Sequence, residues 1–209
     1  MYEFLKKLMM AQQVSFKEGH VQFLGEDVAF TPVTFLAEDT RKYIAKNDIN
    51  GLYLSSWKSG YQITLKMVQK YKLKKFEERY SVAMDTVSMM GLGSYKTLEF
   101  KRAEYAHFRV FNNPLALYLK GKYKTPVDHF MRGANAGGGT IVHEIPINCI
   151  EVKCLAIGDK LCEFYNLSLP NIKSFKNQDI VNSQLDLNYL VEEEKEFIKA
   201  RGDDSFIKI

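Results

Sequence analysis

The chain has 209 residues, 46% of them hydrophobic, with 14 Phe and 12 Tyr and a formal charge of +4 from 29 Lys and Arg against 25 acids. That length and apolar content fit a globular domain with a complete core and exclude a disordered chain. The charge is too even for a nucleic-acid footprint, and no stretch reaches the ~18 consecutive apolar residues of a membrane span.

Residues 1–12 place Tyr2, Leu5, Leu8 and Met9 at helical spacing, which predicts a short amphipathic helix. A hairpin follows: residues 14–17 alternate, Glu18 and Gly19 turn, and residues 20–24 return before a further extended stretch to Phe30. Thr31 and Pro32 mark a switch to a helix of about three turns that ends at the breaker pair Asn50 and Gly51. Two more helices are expected over residues 53–71 and 74–90, the second closed by Gly91 and Gly93. The lysine-rich run over residues 66–75 spreads around the helix and is followed at once by Glu77 and Glu78, which reads as a solvated helix face.

From Thr97 the period becomes alternating, and residues 98–110 read as two strands. His107 alternates with Tyr105 and Arg109, the pattern of a hydrogen bond on a sheet face. Asn112, Asn113 and Pro114 break the chain, with Pro114 suited to the first turn of a helix over residues 115–119. Thr125 as cap, Pro126 at the first helical position and Asp128 as third-position acid predict the start of another helix. That helix runs to Gly139 through a side-chain-poor interior. Gly133 and Gly137 share a face and would let the backbone press on a sheet or on another subunit. No lysine and hydroxyl residue follow the glycines, so they are not a phosphate loop. His143 and Glu144 are read as leading into a strand rather than as a zinc-helix pair. Final strands are expected over residues 145–154 and 161–169, with Cys149 a small hydrophobe in the sheet core. Residues 171–186 are polar and breaker-rich, a linker by composition, and residues 187–200 an amphipathic helix. The reading is an α+β fold in which an antiparallel β-sheet packs against a helical layer. It has an N-terminal helix and hairpin (1–31), a main domain (32–170), and a C-terminal linker and helix (171–209).

The chemistry concentrates in the last hairpin. Glu151, Cys154 and Cys162 flank a short reversal in which Gly158 and Asp159 supply the left-handed backbone, so the two thiols should face each other. Thiolates supplemented by carboxylate or imidazole are a zinc donor set, and a closed structural site needs a fourth ligand from elsewhere. Three cysteines and no leading charged-then-apolar segment point to a reducing, cytoplasmic setting in which thiols stay free for metals.

The residues Pro126, Asp128, His129, Gly133 and Gly137, then Glu151, Cys154, Gly158, Cys162 and Phe164, resemble the 4-vinyl reductase domain family. Residues 126–164 carry the resemblance; upstream, the Lys17 to His20 turn and the helix-rich middle look like its stand-alone archaeal members. The family includes sensory domains of phenol-responsive bacterial activators and is structurally akin to subunits of the TRAPP vesicle-tethering particle. In its metal-binding members, a cysteine at the start of the glycine-rich helix joins a glutamate and two hairpin cysteines. By that resemblance Glu151, Cys154 and Cys162 are ligands, and Asp128 stands where the first cysteine would be, with His129 beside it as the alternative. His129 would leave less residual negative charge around Zn²⁺, whereas position favours Asp128; water or Cys149 is the remaining option.

No nucleophile elbow or paired acid and base motif is visible, and four protein ligands would close the metal to substrate. The expectation is therefore a zinc-containing sensory domain with a hydrophobic small-molecule ligand and no catalysis. The helices around Met67, Phe76, Tyr80, Met84, Met89 and Met90 could line an adaptable cavity. The resemblance further implies a homodimer. Alternatives are a TRAPP-like scaffold bound to a protein partner, or an enzyme acting on a tetrapyrrole or aromatic substrate.

Overall fold

The computed structural model describes residues 14–23 and 26–208, so the helix expected over residues 1–12 lies outside the described residues. A three-stranded antiparallel sheet comes first: β1 (Val14–Lys17), β2 (His20–Phe23) and β3 (Glu26–Val28). Three helices follow, α1 (Val33–Ala45), α2 (Ile49–Lys70) and α3 (Phe76–Met89). Asn50 and Gly51, read as a breaker, instead lie in the first turn of α2, because Asp48 caps that helix by accepting from the Gly51 N–H at 3.0 Å. Lys66, Lys70, Lys72, Lys74 and Lys75 are all exposed, as expected of a solvated face.

The main sheet is antiparallel in the order β4-β5-β7-β6, formed by β4 (Ser94–Lys101), β5 (Tyr105–Phe111), β6 (Ile147–Lys153) and β7 (Cys162–Ser168). The alternation of β5 turns Ala106, Phe108 and Val110 into the core, and its register sets Val110 opposite Cys162 and Phe108 opposite Phe164. On β7 the same face continues to Glu151, which pairs with Phe164 from β6. A single face thus brings Cys162 and Glu151 together beneath the helical layer. The fold is α+β, with antiparallel sheets and helices packed on the larger one.

The opposite face of this sheet combines apolar side chains, Ile150, Tyr165 and Leu167, with a polar cluster. There Glu163 accepts from Arg109 Nε at 2.7 Å and from Lys153 Nζ at 3.1 Å, and lies 3.0 Å from His107 Nε2. His107 also stacks on Tyr165 at 4.0 Å, so its expected sheet-face hydrogen bond is present. Burial alone would raise the Glu163 pKa, but the bonds from Arg109, His107 and Lys153 outweigh it and hold the carboxyl down at about 2. A depressed carboxyl stabilises the fold above its ordinary value of 4.5, and that contribution disappears as pH falls from there through about 2. Urea midpoints measured at neutral pH and near pH 3 should therefore fall further for the native chain than for Glu163→Gln, which has no such proton to gain.

Between β5 and β6 lie α4 (Pro114–Tyr118), capped by Asn113, and α5 (His129–His143). Helix α5 differs from expectation at both ends. It begins at His129, and Asp128 occupies the cap position without making a side-chain cap bond, because its carboxylate turns to the thiols instead. It runs through His143 and stops at Glu144, which adopts φ 58° and pairs with Arg79 Nη1 at 2.6 Å. The Glu144 side chain thus ends a helix rather than leading into a strand.

Gly133 and Gly137 of α5 face α2 rather than the sheet. A Cβ on Gly133 would collide with the Tyr53 carbonyl, one on Gly137 with the Trp57 carbonyl, and one on Gly60 of α2 with the Ala134 carbonyl. Backbone therefore meets backbone, a separation that only residues lacking a side chain permit.

Residues 171–186, polar enough to read as a linker, carry α7 (Gln178–Gln184) and the end of α6 (Leu169–Lys173), and bury Ile172, Val181, Gln184 and Leu185. Val181, Gln184 and Leu185 at helical spacing, with Ile172 from α6, dock the segment despite its average polarity. Helix α8 (Leu187–Ala200) forms as expected and is followed by a 3₁₀ turn (Asp203–Ser205), and no helix among the described residues is long and apolar enough to cross a membrane.

Candidate metal centre

Four fully buried side chains converge where α5 begins. Asp128, Glu151, Cys154 and Cys162 each offer a ligand atom, and these atoms all lie within 4.8 Å of one another. Asp128 comes from the helix cap, Glu151 from β6, and the two cysteines from either side of the β6–β7 connection. That connection is a 3₁₀ turn (Leu155–Ile157) ended by Gly158 at φ 108°. Asp159 is not left-handed, contrary to the expected pair. Its side chain instead accepts from the Cys154 N–H at 2.8 Å and so fixes the reversal.

Cys162 Sγ lies 3.2 Å and Cys154 Sγ 3.9 Å from Asp128 Oδ2. A tetrahedral ion bound at zinc–oxygen and zinc–sulfur distances sets neighbouring ligand atoms roughly 3.3–3.8 Å apart, so these separations bracket the requirement. Asn113 Nδ2 donates to Asp128 Oδ2 at 2.8 Å and approaches Cys162 Sγ at 3.5 Å, where the Leu155 N–H also points. Asp128 Oδ1 and both oxygens of Glu151 have no hydrogen-bond partner although they are buried. Unpartnered buried carboxylate oxygens are costly, and a divalent cation is the group that two thiols and two carboxylates would satisfy together.

Among the protein groups themselves, burial pushes the carboxyls of Asp128 and Glu151 above the usual range, and for Glu151 the charges of Asp128 and Cys154 add to it. The thiol of Cys162 is likewise pushed up by its hydrogen bond to Cys154, by burial and by the neighbouring acids. A bound dication inverts this balance and favours the deprotonated ligands.

His129 is directed elsewhere. Its Nδ1 accepts from Arg132 Nη2 at 2.6 Å, and burial followed by the Arg132 charge holds its pKa well below the ordinary imidazole value. Cys149 lies in the core, its thiol pushed up by burial. Three supporting residues had no sequence signal for this role. Asn113 read only as a chain break. Arg132, fully buried, donates to the carbonyls of Cys149 and Gln184 at 3.2 and 3.3 Å, and it places a positive charge near Asp128 and Glu151. The Gln184 side chain brackets the Glu151 backbone, accepting from its N–H at 2.9 Å and donating to its carbonyl at 2.7 Å.

Beyond the cluster, α5 lines one side of a partly open cavity of about 90 Å³, whose other walls come from α2, α3 and β7. Met67, Tyr80, Met84 and Met90 of the expected adaptable set border it, and Phe76 and Met89 do not. The same helix thus anchors the acid–thiol cluster at its start and forms the cavity wall along its length.

The sequence matches no family model and no curated protein. Among solved structures, the phenol-responsive sensory domain of the transcription activator PoxR, determined with phenol, aligns at a TM-score of 0.71 and 12% identity, over 88% of this chain and 96% of that one. The chain has the fold of that sensory domain. Two others align less closely. Trafficking protein particle complex subunit 3 from Naegleria fowleri, covalently bound to palmitic acid, gives a TM-score of 0.48 at 14% identity over 65% of this chain and 93% of that one. A vinyl-4-reductase family protein from Methanocaldococcus jannaschii gives 0.46 at 15% identity over 66% and 82%.

Proposed function

We propose that the chain is a zinc-holding regulatory domain that binds a small, largely apolar molecule in the cavity along α5. The observation that carries this reading is the buried set of Asp128, Glu151, Cys154 and Cys162, in which Asp128 Oδ1 and both Glu151 oxygens lack hydrogen-bond partners, at the start of the helix that forms the cavity wall. Two thiolates select a soft or borderline ion over magnesium or calcium, and Zn²⁺ suits a four-coordinate buried site. With four protein donors the coordination shell is closed, so the ion acts as a clamp between α5 and the β6–β7 connection. Arg132 offsets part of the negative charge that two thiolates and two carboxylates leave around it. The likeness of fold to a sensory domain crystallised with phenol supports a ligand role for the cavity. Pairing of two copies belongs to the same reading.

Metal analysis of the purified chain should find about one zinc per protein, and a strong chelator should lower the melting temperature as it removes the ion. A chain that holds no transition metal when purified without chelator, and whose melting is indifferent to added Zn²⁺, is incompatible with the clamp. For the cavity, a ligand that binds only the folded state must raise the melting temperature, by about 2.7 kcal/mol in stability at a hundredfold excess over its Kd.

A further inference from the structure

Resting on the reading that the cavity takes a small molecule, we propose that it selects an uncharged, ring-sized compound whose polar group both accepts and donates a hydrogen bond. Asn135, His143 and Asn166 border this cavity and are 4%, 2% and 2% exposed. Each carries a polar atom without a partner: Asn135 Nδ2, His143 Nε2 and Asn166 Oδ1. Most buried polar atoms in folded proteins are satisfied, so three in one small space call for a common explanation.

Their remaining polar atoms are already engaged, which fixes what each free atom can do. Asn135 Oδ1 accepts from the Tyr95 hydroxyl at 3.4 Å, leaving its Nδ2 as a donor. Asn166 Nδ2 donates to the Asn135 carbonyl at 2.9 Å, leaving its Oδ1 as an acceptor. His143 Nδ1 accepts from the Ala103 N–H at 3.1 Å, so the neutral ring carries its proton on Nε2. Burial holds that ring neutral, with its pKa down at about 4.

Position divides the three. The Asn166 amide lies against Gly139 and donates to the Asn135 carbonyl, so the two asparagines are neighbours, one with a free donor and the other with a free acceptor. His143 lies eight residues along α5 from Asn135, about 12 Å at the helical rise, and offers a lone donor at the other end. The rest of the wall is largely apolar, with Met67, Met84, Val87 and Val142 beside the hydroxyls of Thr64 and Thr86, and no charged side chain borders the space. An anionic ligand would lose its hydration with no cation to meet it. A purely apolar ligand would leave all three polar atoms unmet. A neutral carboxamide or hydroxyl answers the Asn135 and Asn166 pair, and the body of the ligand answers the methionines. The free space is smaller than the roughly 150 Å³ of an engineered cavity that takes benzene, but unbranched methionines can move to admit a ring.

The test is calorimetric titration of the full chain with four probes of similar size: benzamide, benzyl alcohol, benzoate and toluene. Benzamide or benzyl alcohol should bind at least about tenfold tighter than both toluene and benzoate, and the order of those two separates a carboxamide from a hydroxyl preference. In Asn135→Leu, checked for folding by circular dichroism, that advantage over toluene should shrink to about twofold while toluene still binds. Should that variant not fold, the ranking on the native chain decides alone. Four equal affinities, benzoate as the tightest probe, or an unchanged preference in a folded Asn135→Leu would overturn this assignment while leaving a small-molecule cavity intact. Binding of none of the four, toluene included, would overturn the cavity reading itself.

Discussion

Cys154→Ser should strip the metal from the chain and lower its unfolding free energy by about 3 kcal/mol or more. The size follows from what the substitution leaves behind. Asp128, Glu151 and Cys162 are fully buried, and without the Cys154 thiolate they can no longer share a dication, so each must take up a proton or remain an unpaired charge. Affinity for the ion that exists only in the folded state is also folding free energy, and it is lost in the same step. Asp128→Ala should cost less, because both thiolates and Glu151 remain and a water can enter the vacated position. Metal content by mass spectrometry and urea unfolding of the three proteins in parallel decide the matter. Equal metal in all three would remove these residues from the ligand set.

A second large effect is expected at Gly137. Helix propensity alone would have Gly137→Ala stabilise α5 by about 1 kcal/mol. The new Cβ, however, would run into the Trp57 carbonyl and within 2.8 Å of the Tyr61 nitrogen, both backbone atoms of α2 that cannot rotate aside. Overpacking of this kind costs about 3 kcal/mol, so the sign reverses and the variant should unfold at markedly lower urea. Gly138→Ala is the internal control. Its Cβ would meet only the Thr64 hydroxyl at 2.9 Å, the end of a side chain that can turn away, and its effect should be near neutral. Equal destabilisation by both would mean that propensity and packing had been weighed wrongly.

The parts of this architecture legible in the sequence are those written in local spacing. The periods of β5 and α3 and the interval from Glu151 through Cys154 to Cys162 each announce themselves within a few residues. Asp128 was reachable only through resemblance, since its sequence context is that of a helix start. The structure shows why the two signals overlapped: the residue stands at the cap position, but its carboxylate is drawn to the thiols. Asn113, Arg132 and Gln184 support the cluster from three separate elements, and nothing in a one-dimensional pattern marks an amide for a backbone strand that lies 33 residues away. Mean polarity concealed the helix that carries Gln184, because a few well-spaced buried side chains decide docking. The glycine face of α5 was correctly expected to be in close contact. Its partner, α2, could not be read, since small residues declare proximity and not the identity of the neighbour.

The bare contact between α2 and α5 also constrains how the molecule can respond to anything it binds. Where side chains interleave, one helix can slide as rotamers readjust; where peptide planes touch, no such cushion exists. A displacement imposed on α5 from the cavity would therefore carry α2 along as a tandem body, and the give would fall at α3, the remaining helical wall of the cavity.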